Sequence, residues 1–139
     1  MKIVKDPPSP KASEGHGKIE IIFSKYTPNR KIFCHKELTR ERWFRLSFDE
    51  QMANVGADIG RTINWRNKDI QQSSRFFETG LELLDLTIDD EKNKERLNEL
   101  LKAREALVDY FCFDNIYGST DEKWNNYFYG FNYAANLNR

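Results

Sequence analysis

The chain has 139 residues, of which 39% are hydrophobic and 32% are charged, and its formal net charge is zero. That length is typical of a single domain, and that hydrophobic content can fill one small core. No apolar stretch reaches the roughly 18 residues that a membrane helix needs, and the N-terminus lacks the apolar region of a signal peptide, so we expect a cytoplasmic protein with no membrane contact.

The charges are divided unevenly along the chain. Residues 1–46 contain 11 Lys and Arg against 5 Asp and Glu, whereas residues 47–139 contain 11 against 17. Phosphate binding draws on clustered basic side chains, so the acidic part is a poor nucleic-acid surface and only the basic N-terminal segment could bind nucleic acid. We favour the other interpretation, in which the basic segment lies against the acidic part of the same chain.

Two different segments precede the main domain. Residues 1–17 hold most of the prolines among small polar residues, which predicts a flexible tail. Residues 18–37 carry two apolar runs on either side of the turn sequence Thr27-Pro28-Asn29, which predicts a short β-hairpin. A hairpin of this size is not stable alone, so we expect it to lean on the rest of the chain or on a partner.

Four amphipathic segments then predict a mainly α fold, an up-and-down four-helix bundle over residues 38–139. The predicted helices cover residues 47–66, 69–88, 92–111 and 120–137. The first opens with a capping box between Ser47 and Glu50, and the last opens with a second at Ser119-Thr120-Asp121-Glu122. Short connections between them favour antiparallel neighbours.

Gly56 and Gly60 lie four residues apart inside the first predicted helix. Each glycine costs a helix about 1 kcal/mol relative to alanine, so the pair predicts a close contact with a neighbouring helix. Close approach to a ligand is the alternative interpretation.

The sequence contains no recognisable chemical motif. We find no paired cysteine set, no His-rich ligand spacing, no glycine-rich phosphate loop and no nucleophile elbow. Cys34 and Cys112 are expected to be free thiols, with Cys112 partly buried. We therefore expect no catalytic residue, no cofactor, no metal site and no enzymatic activity.

Arg104 falls inside the apolar stripe of the third predicted helix. A buried guanidinium without a partner would cost several kcal/mol, so a carboxylate should lie beside it. Asp85 is the first choice because it lies at the edge of the preceding helix's stripe, and Asp58 is the second. A structural ion pair is favoured over a ligand-binding arginine.

Four residues are candidates for an interaction surface. Trp65 and Arg61 fall off the stripe of the first predicted helix, and Tyr129 and Tyr133 fall on the back of the last one. Exposed aromatic residues are typical of protein interfaces, although the hairpin could instead cover them. We expect a protein partner or a homo-oligomer, most simply a dimer formed through the first or fourth helix or through the hairpin edge.

The spacing Arg104-Glu-Ala-Leu-Val-Asp109 is similar to the Arg-x4-6-His motif of the HEPN family of helical-bundle ribonucleases and toxins. In that family the pair lies at an RNA-cleaving dimer interface. Here aspartate stands at the histidine position, and aspartate is a poor substitute for imidazole in proton transfer near neutral pH. The resemblance covers one helix and implies a nucleic-acid processing protein as the alternative to an interaction module.

Residues 43–135 resemble a group of small, largely uncharacterised prokaryotic helical proteins, through the strings EQMANVGADIGRTINWRNK, LELLDLTI, REALVDYF and STDEKWNNYF. This resemblance implies a cytoplasmic, prokaryotic setting and brings no activity. The accessory proteins of diversity-generating reverse transcriptases are similar in size and architecture, but they are basic where this bundle is acidic. Their nucleic-acid role is therefore not carried over.

Overall fold

The computed structural model describes residues 17–137, and all but the last residue of the predicted tail lies outside the described residues. The described chain is mainly helical, as predicted. Its α-helices are α1 (Arg40–Phe44), α2 (Phe48–Trp65), α3 (Ile70–Asp89), α4 (Leu97–Cys112) and α5 (Asp121–Leu137). The predicted helix over 92–111 needs a correction, because Glu91–Arg96 forms a 3-10 helix and the α-helix begins only at Leu97.

Local hydrogen bonds explain where the helices begin. Ser47 caps α2 with a complete capping box, in which its Oγ accepts from Glu50 N at 3.1 Å and Glu50 accepts from Ser47 N at 2.9 Å. The second predicted capping box is not observed. Thr120 caps α5 by accepting from Lys123 N, while Ser119 bonds to Asn115 in the preceding loop.

Contacts between helices show that consecutive long helices run antiparallel. Across α2 and α3, Ser73 near the start of α3 donates to Thr62 O near the end of α2, whereas Gln51 at the start of α2 bonds Asp90 just after α3. The ring of Phe77 lies 5.0 Å from that of Phe111, which joins the first half of α3 to the end of α4. The large apolar side chains buried between the helices include Met52, Val55, Ile59, Phe77, Leu84, Leu100, Leu107, Phe111 and Phe128.

The two glycines of α2 have different surroundings. A Cβ atom added to Gly56 would lie 2.5 Å from Cβ of Phe128, so this glycine lets α2 and α5 approach closely. At Gly60 an added Cβ would meet no atom within 4 Å. The close contact predicted for both glycines is therefore correct for Gly56 and wrong for Gly60.

Residues 17–39, which we call the strap, run across α3 and α4 without forming a strand. The hairpin predicted over 18–37 is not observed there: none of these residues lies in a strand, and the N–H groups at positions 19, 22, 29 and 33–35 bond to helix residues. Ile19 N donates to Phe111 O at 3.0 Å, and the side chains of Ile19 and Ile21 are buried in the core. The described part of the basic segment thus lies against the acidic bundle, as the charge division favoured.

Within residues 17–137, no helix has the length and apolar character required to cross a membrane.

Candidate functional site

Four carboxylates line the face of α3 that lies under the strap. Glu78, Glu82, Asp85 and Asp89 follow one another at steps of four, three and four residues, which places them on one side of an α-helix. We call them the carboxylate row. All four bond to strap or Arg104 groups, so the row is the surface on which the strap is held.

Glu82 binds the backbone of three consecutive strap residues. Its carboxylate accepts from the N–H groups of Phe33, Cys34 and His35 at 2.5 to 3.0 Å, and it lies 2.7 Å from Nδ1 of the His35 ring. Burial alone would raise the pKa of Glu82, but the hydrogen bonds from His35 and the backbone outweigh burial and lower that pKa to about 2. The side chain therefore stays ionised in the folded protein at neutral pH.

Asp89, the last residue of α3, also holds the strap. It accepts from Asn29 N at 3.1 Å, from Arg40 Nη1 at 2.6 Å and from the hydroxyl of Tyr26. Burial, together with the bond to Asp89, raises the pKa of Tyr26, so this hydroxyl remains a donor. The strap and the start of α1 are fixed at one point by this carboxylate.

Arg104 lies against Asp85, the carboxylate named first from the sequence. Its Nε and Nη2 donate to the two oxygens of Asp85 at 2.6 and 3.2 Å, and only 3% of the arginine is exposed. The remaining donors reach the carbonyl oxygens of Ser24 at 2.7 Å and Phe23 at 3.1 Å. Burial raises the pKa of Asp85 and the bonds from Arg104 oppose that rise. Asp58, the second choice, instead pairs with Arg61 at 2.9 Å.

The space between the strap and the carboxylate row is small. It has a volume of about 30 Å³ and is bounded by aromatic, acidic and basic side chains that include Phe23, Glu78 and Arg104. That volume has room for one or two water molecules and falls far below the several hundred Å³ of a typical ligand pocket. Among the described residues, no group of three or more His, Cys, Asp or Glu side chains has an arrangement that could hold a metal ion.

Asp109, which occupies the histidine position of the HEPN-like spacing, holds a loop. Its two oxygens accept from Ile116 N at 3.0 Å and Tyr117 N at 3.1 Å, and the residue is buried. Asn115 reinforces the same loop, with its backbone in the left-handed region at φ 56° and its side chain bonded to Ser119. Arg104 and Asp109 thus contact different parts of the chain.

The four predicted interaction residues do not form one cluster. Trp65 lies at the end of α2 that adjoins the start of α5, where Arg66 bonds Asp121 at 2.6 Å. Tyr129 and Tyr133 belong to the opposite half of α5, near Phe131, whose ring packs against Phe48 at the start of α2. The Arg61 side chain is half exposed and pairs with its own helix.

Tyr129 and Tyr133 are 63% and 56% exposed, and their rings stack with centroids 6.3 Å apart. The strap, which lies on α3 and α4, leaves them uncovered. They belong to a larger surface that sequence reasoning missed. Residues 124–138 contain no charged side chain, although 32% of the whole chain is charged. This absence is visible in the sequence and could have been found there.

The outer face of α5 is the exposed stripe that points away from the bundle. It comprises Asn126, Gly130, Tyr133 and Leu137, with Tyr129 on its flank. At about 100° per residue this stripe lies opposite the buried side of the helix, which comprises Trp124, Phe128 and Ala135. Within residues 17–137, the outer face is therefore an exposed helix surface that no other element covers, and it carries no charge.

Comparison with protein-family models, with curated proteins and with solved structures found no match for this chain.

Proposed function

We propose that this protein is an interaction or assembly module without enzymatic activity, and that it docks through the outer face of α5. The observation that carries the proposal is the combination of exposure, tyrosine content and absence of charge on that face. Interface cores are depleted of charged residues and enriched in tyrosine, because charges are costly to desolvate and tyrosine offers a large, rigid contact area.

The hydrogen bonds of Arg104 and Asp109, the two residues of the HEPN-like spacing, support a non-catalytic role. An RNA-cleaving arginine of the HEPN type has to face a cleft shared with a second copy. Arg104 instead bonds Asp85 and the strap carbonyls and is almost fully buried, while Asp109 is bonded to loop N–H groups. Both side chains have their hydrogen bonds engaged within the chain.

The two thiols also favour a non-catalytic role. Both cysteines are free, and burial is the main cause that raises the pKa of Cys34 to about 11 and that of Cys112 to about 12. A nucleophilic cysteine needs a lowered pKa, so both thiols are poor nucleophiles at neutral pH. Unpaired cysteines are typical of the reducing cytoplasm, which is where we place the protein.

The basic N-terminal segment is a weaker candidate for nucleic-acid binding than its charge suggests. Arg40 bonds Asp89, and Arg30 bonds the carbonyl of Lys25 and lies 4.2 Å from the ring centroid of Phe23. Guanidinium groups held in this way are less available to phosphate. Protein recognition through α5 therefore explains more of the surface than phosphate recognition by this segment.

Site-specific photocross-linking in living cells tests the proposal. A benzophenone amino acid at position 129 should capture a polypeptide at least tenfold more efficiently than the same group at Lys102, an exposed position on α4. Adding Tyr133→Glu should abolish the capture at position 129, because a charge then enters the outer face. Equal capture from both positions, or capture that persists with Tyr133→Glu, would contradict the proposal.

A further inference from the structure

We infer that the outer face of α5 binds a second copy of this chain, with the two α5 helices antiparallel and Tyr133 of each copy seated over Gly130 of the other. The inference rests on the proposed function, since it names the partner of the same surface. Three properties of the outer face lead to it: the spacing of its residues, the shape of its centre and its lack of charge.

The residue spacing of the outer face suits a helix partner. Asn126, Gly130, Tyr133 and Leu137 are separated by four, three and four residues, the alternation that keeps a seam facing a second helix. The stripe extends about 16 Å along the helix axis, which is three turns. Helix–helix packing is thus the contact geometry that the outer face offers.

The centre of the outer face has a hole and a projection. A Cβ atom added to Gly130 would meet no atom within 4 Å, so the surface over this glycine is open. Tyr133 projects one turn further along, and its ring is already oriented by stacking on Tyr129 at 6.3 Å. A ring held in place loses less side-chain entropy when it binds.

Only an antiparallel pair matches the projection to the hole. In a parallel two-fold pair each residue faces its own copy, so glycine would face glycine and tyrosine would face tyrosine. In an antiparallel pair the order is reversed, and Tyr133 can face Gly130 of the second copy on both sides of the symmetry axis. The same register places Asn126 opposite Leu137. The antiparallel arrangement also opposes the two helix dipoles favourably.

The absence of charge favours a second copy as the occupant. Two-fold pairing places the same surface on both sides of an interface, so a charged face tends to meet like charges across it. The outer face avoids this repulsion because residues 124–138 carry none. Each partner in a stable complex buries about 800 Å², and one helix face buries less than that. We therefore expect a weak dimer that is half dissociated at a chain concentration on the order of 10–100 µM.

Analytical ultracentrifugation of the full chain and two double variants tests the register. In N126K/L137E the antiparallel register sets each new lysine opposite a new glutamate, so the 16.5 kDa chain should still form a dimer of twice that mass. In N126K/L137K it sets lysine opposite lysine, and the association constant should fall at least tenfold. Both positions are exposed and lie opposite the buried side of α5, so both variants should melt like the parent.

Three outcomes would overturn the inference. The parent is a monomer at 500 µM; both variants dissociate, which indicates a parallel or different register; or both variants stay dimeric, which places the interface elsewhere. These outcomes are separable from failure of the proposed function. A monomeric parent whose position 129 still captures another protein keeps the interaction role and loses only the second copy. A monomeric parent without capture loses both.

Discussion

Arg104 and Asp85 form a two-bond ion pair whose arginine also holds the carbonyl groups of Phe23 and Ser24. One buried side chain therefore joins α4, α3 and the strap. Removing it leaves a buried carboxylate and two carbonyl groups without their donor, so its loss affects more than the pair.

The first prediction concerns this pair. Arg104→Met should lower the free energy of unfolding by about 3–5 kcal/mol, because Asp85 is left buried and unpaired. Combining it with Asp85→Leu should recover much of the loss. The recovery should stay incomplete at the strap, where the carbonyl groups of Phe23 and Ser24 still lack a donor. Thermal melts measure the first effect, and hydrogen exchange of strap amides measures the second.

Arg61→Met is the matched control for that prediction. Arg61 is about half exposed, and its partner Asp58 is buried but also has a hydrogen bond with Thr79, so losing Arg61 does not leave Asp58 unpaired and should cost only about 1 kcal/mol. Equal destabilisation by Arg61→Met and Arg104→Met would show that Arg104 has no special role in holding the fold.

The second prediction concerns pH. The pKa of Glu82 is lowered to about 2 from 4.5, so its ionised form stabilises the fold fully above pH 4.5, and that stabilisation is lost as the pH falls towards 2. Glu82→Gln should cost up to about 3 kcal/mol at pH 7, and the cost should shrink towards zero near pH 2. Urea unfolding of parent and variant at several pH values measures this.

Glu78 offers a contrast one turn away on the same helix. Burial raises its pKa, so folding disfavours its ionised form, and at neutral pH Glu78→Gln should be neutral or slightly stabilising. If both variants lose the same stability at pH 7, the special role of Glu82 in holding the strap is wrong.

The third prediction compares two glycines of α2. Gly56→Ala should destabilise the protein by about 1–3 kcal/mol, because the new methyl group collides with Phe128. Gly60→Ala should instead stabilise it by up to about 1 kcal/mol, because the space is open and alanine favours a helix. Chemical denaturation of the two variants decides it, and a loss of stability in Gly60→Ala would contradict the packing described for α2.

The fourth prediction uses Cys34 as a reporter of the strap. Burial, then the charge of Glu82, raises the pKa of this thiol to about 11, so at pH 8 it should react with iodoacetamide roughly 100-fold more slowly than an unperturbed cysteine. Glu82→Gln should accelerate the reaction, since it removes a nearby charge and a strap contact. Mass spectrometry of the labelled peptide gives the rate. An unchanged rate in Glu82→Gln would show that Glu82 does not protect Cys34 by holding the strap.

Sequence patterns predicted the helices better than the segment in front of them. Apolar residues at three- and four-residue steps, together with the cap at Ser47, located both ends of α2, α3 and α5 to within one residue. The same periodicity placed Arg104 and Asp85 on facing stripes. These successes rest on local regularity, which one stretch of sequence contains completely.

The strap could not be predicted in this way, because its hydrogen-bond partners are distant in sequence. Glu82 lies 47 to 49 residues from the strap groups that it binds. Apolar alternation around a Pro-Asn turn indicates a hairpin whether the N–H groups meet a strand or a carboxylate. The 3-10 helix at Glu91–Arg96 was missed for a similar reason, since buried Asn93 bonds Gln51 and the carbonyl of Thr87 on other helices.

The attachment of the strap through its main chain has a consequence for redesign. Glu82 binds N–H groups that every residue except proline possesses, so apart from its contact with the His35 ring it recognises the course of the backbone. Outward-facing positions such as Ile22 and Phe33, which are 69% and 61% exposed, can therefore accept new chemical groups while the strap stays attached. The strap is thus a surface segment whose exposed side chains can be replaced while carboxylates of α3 keep it attached.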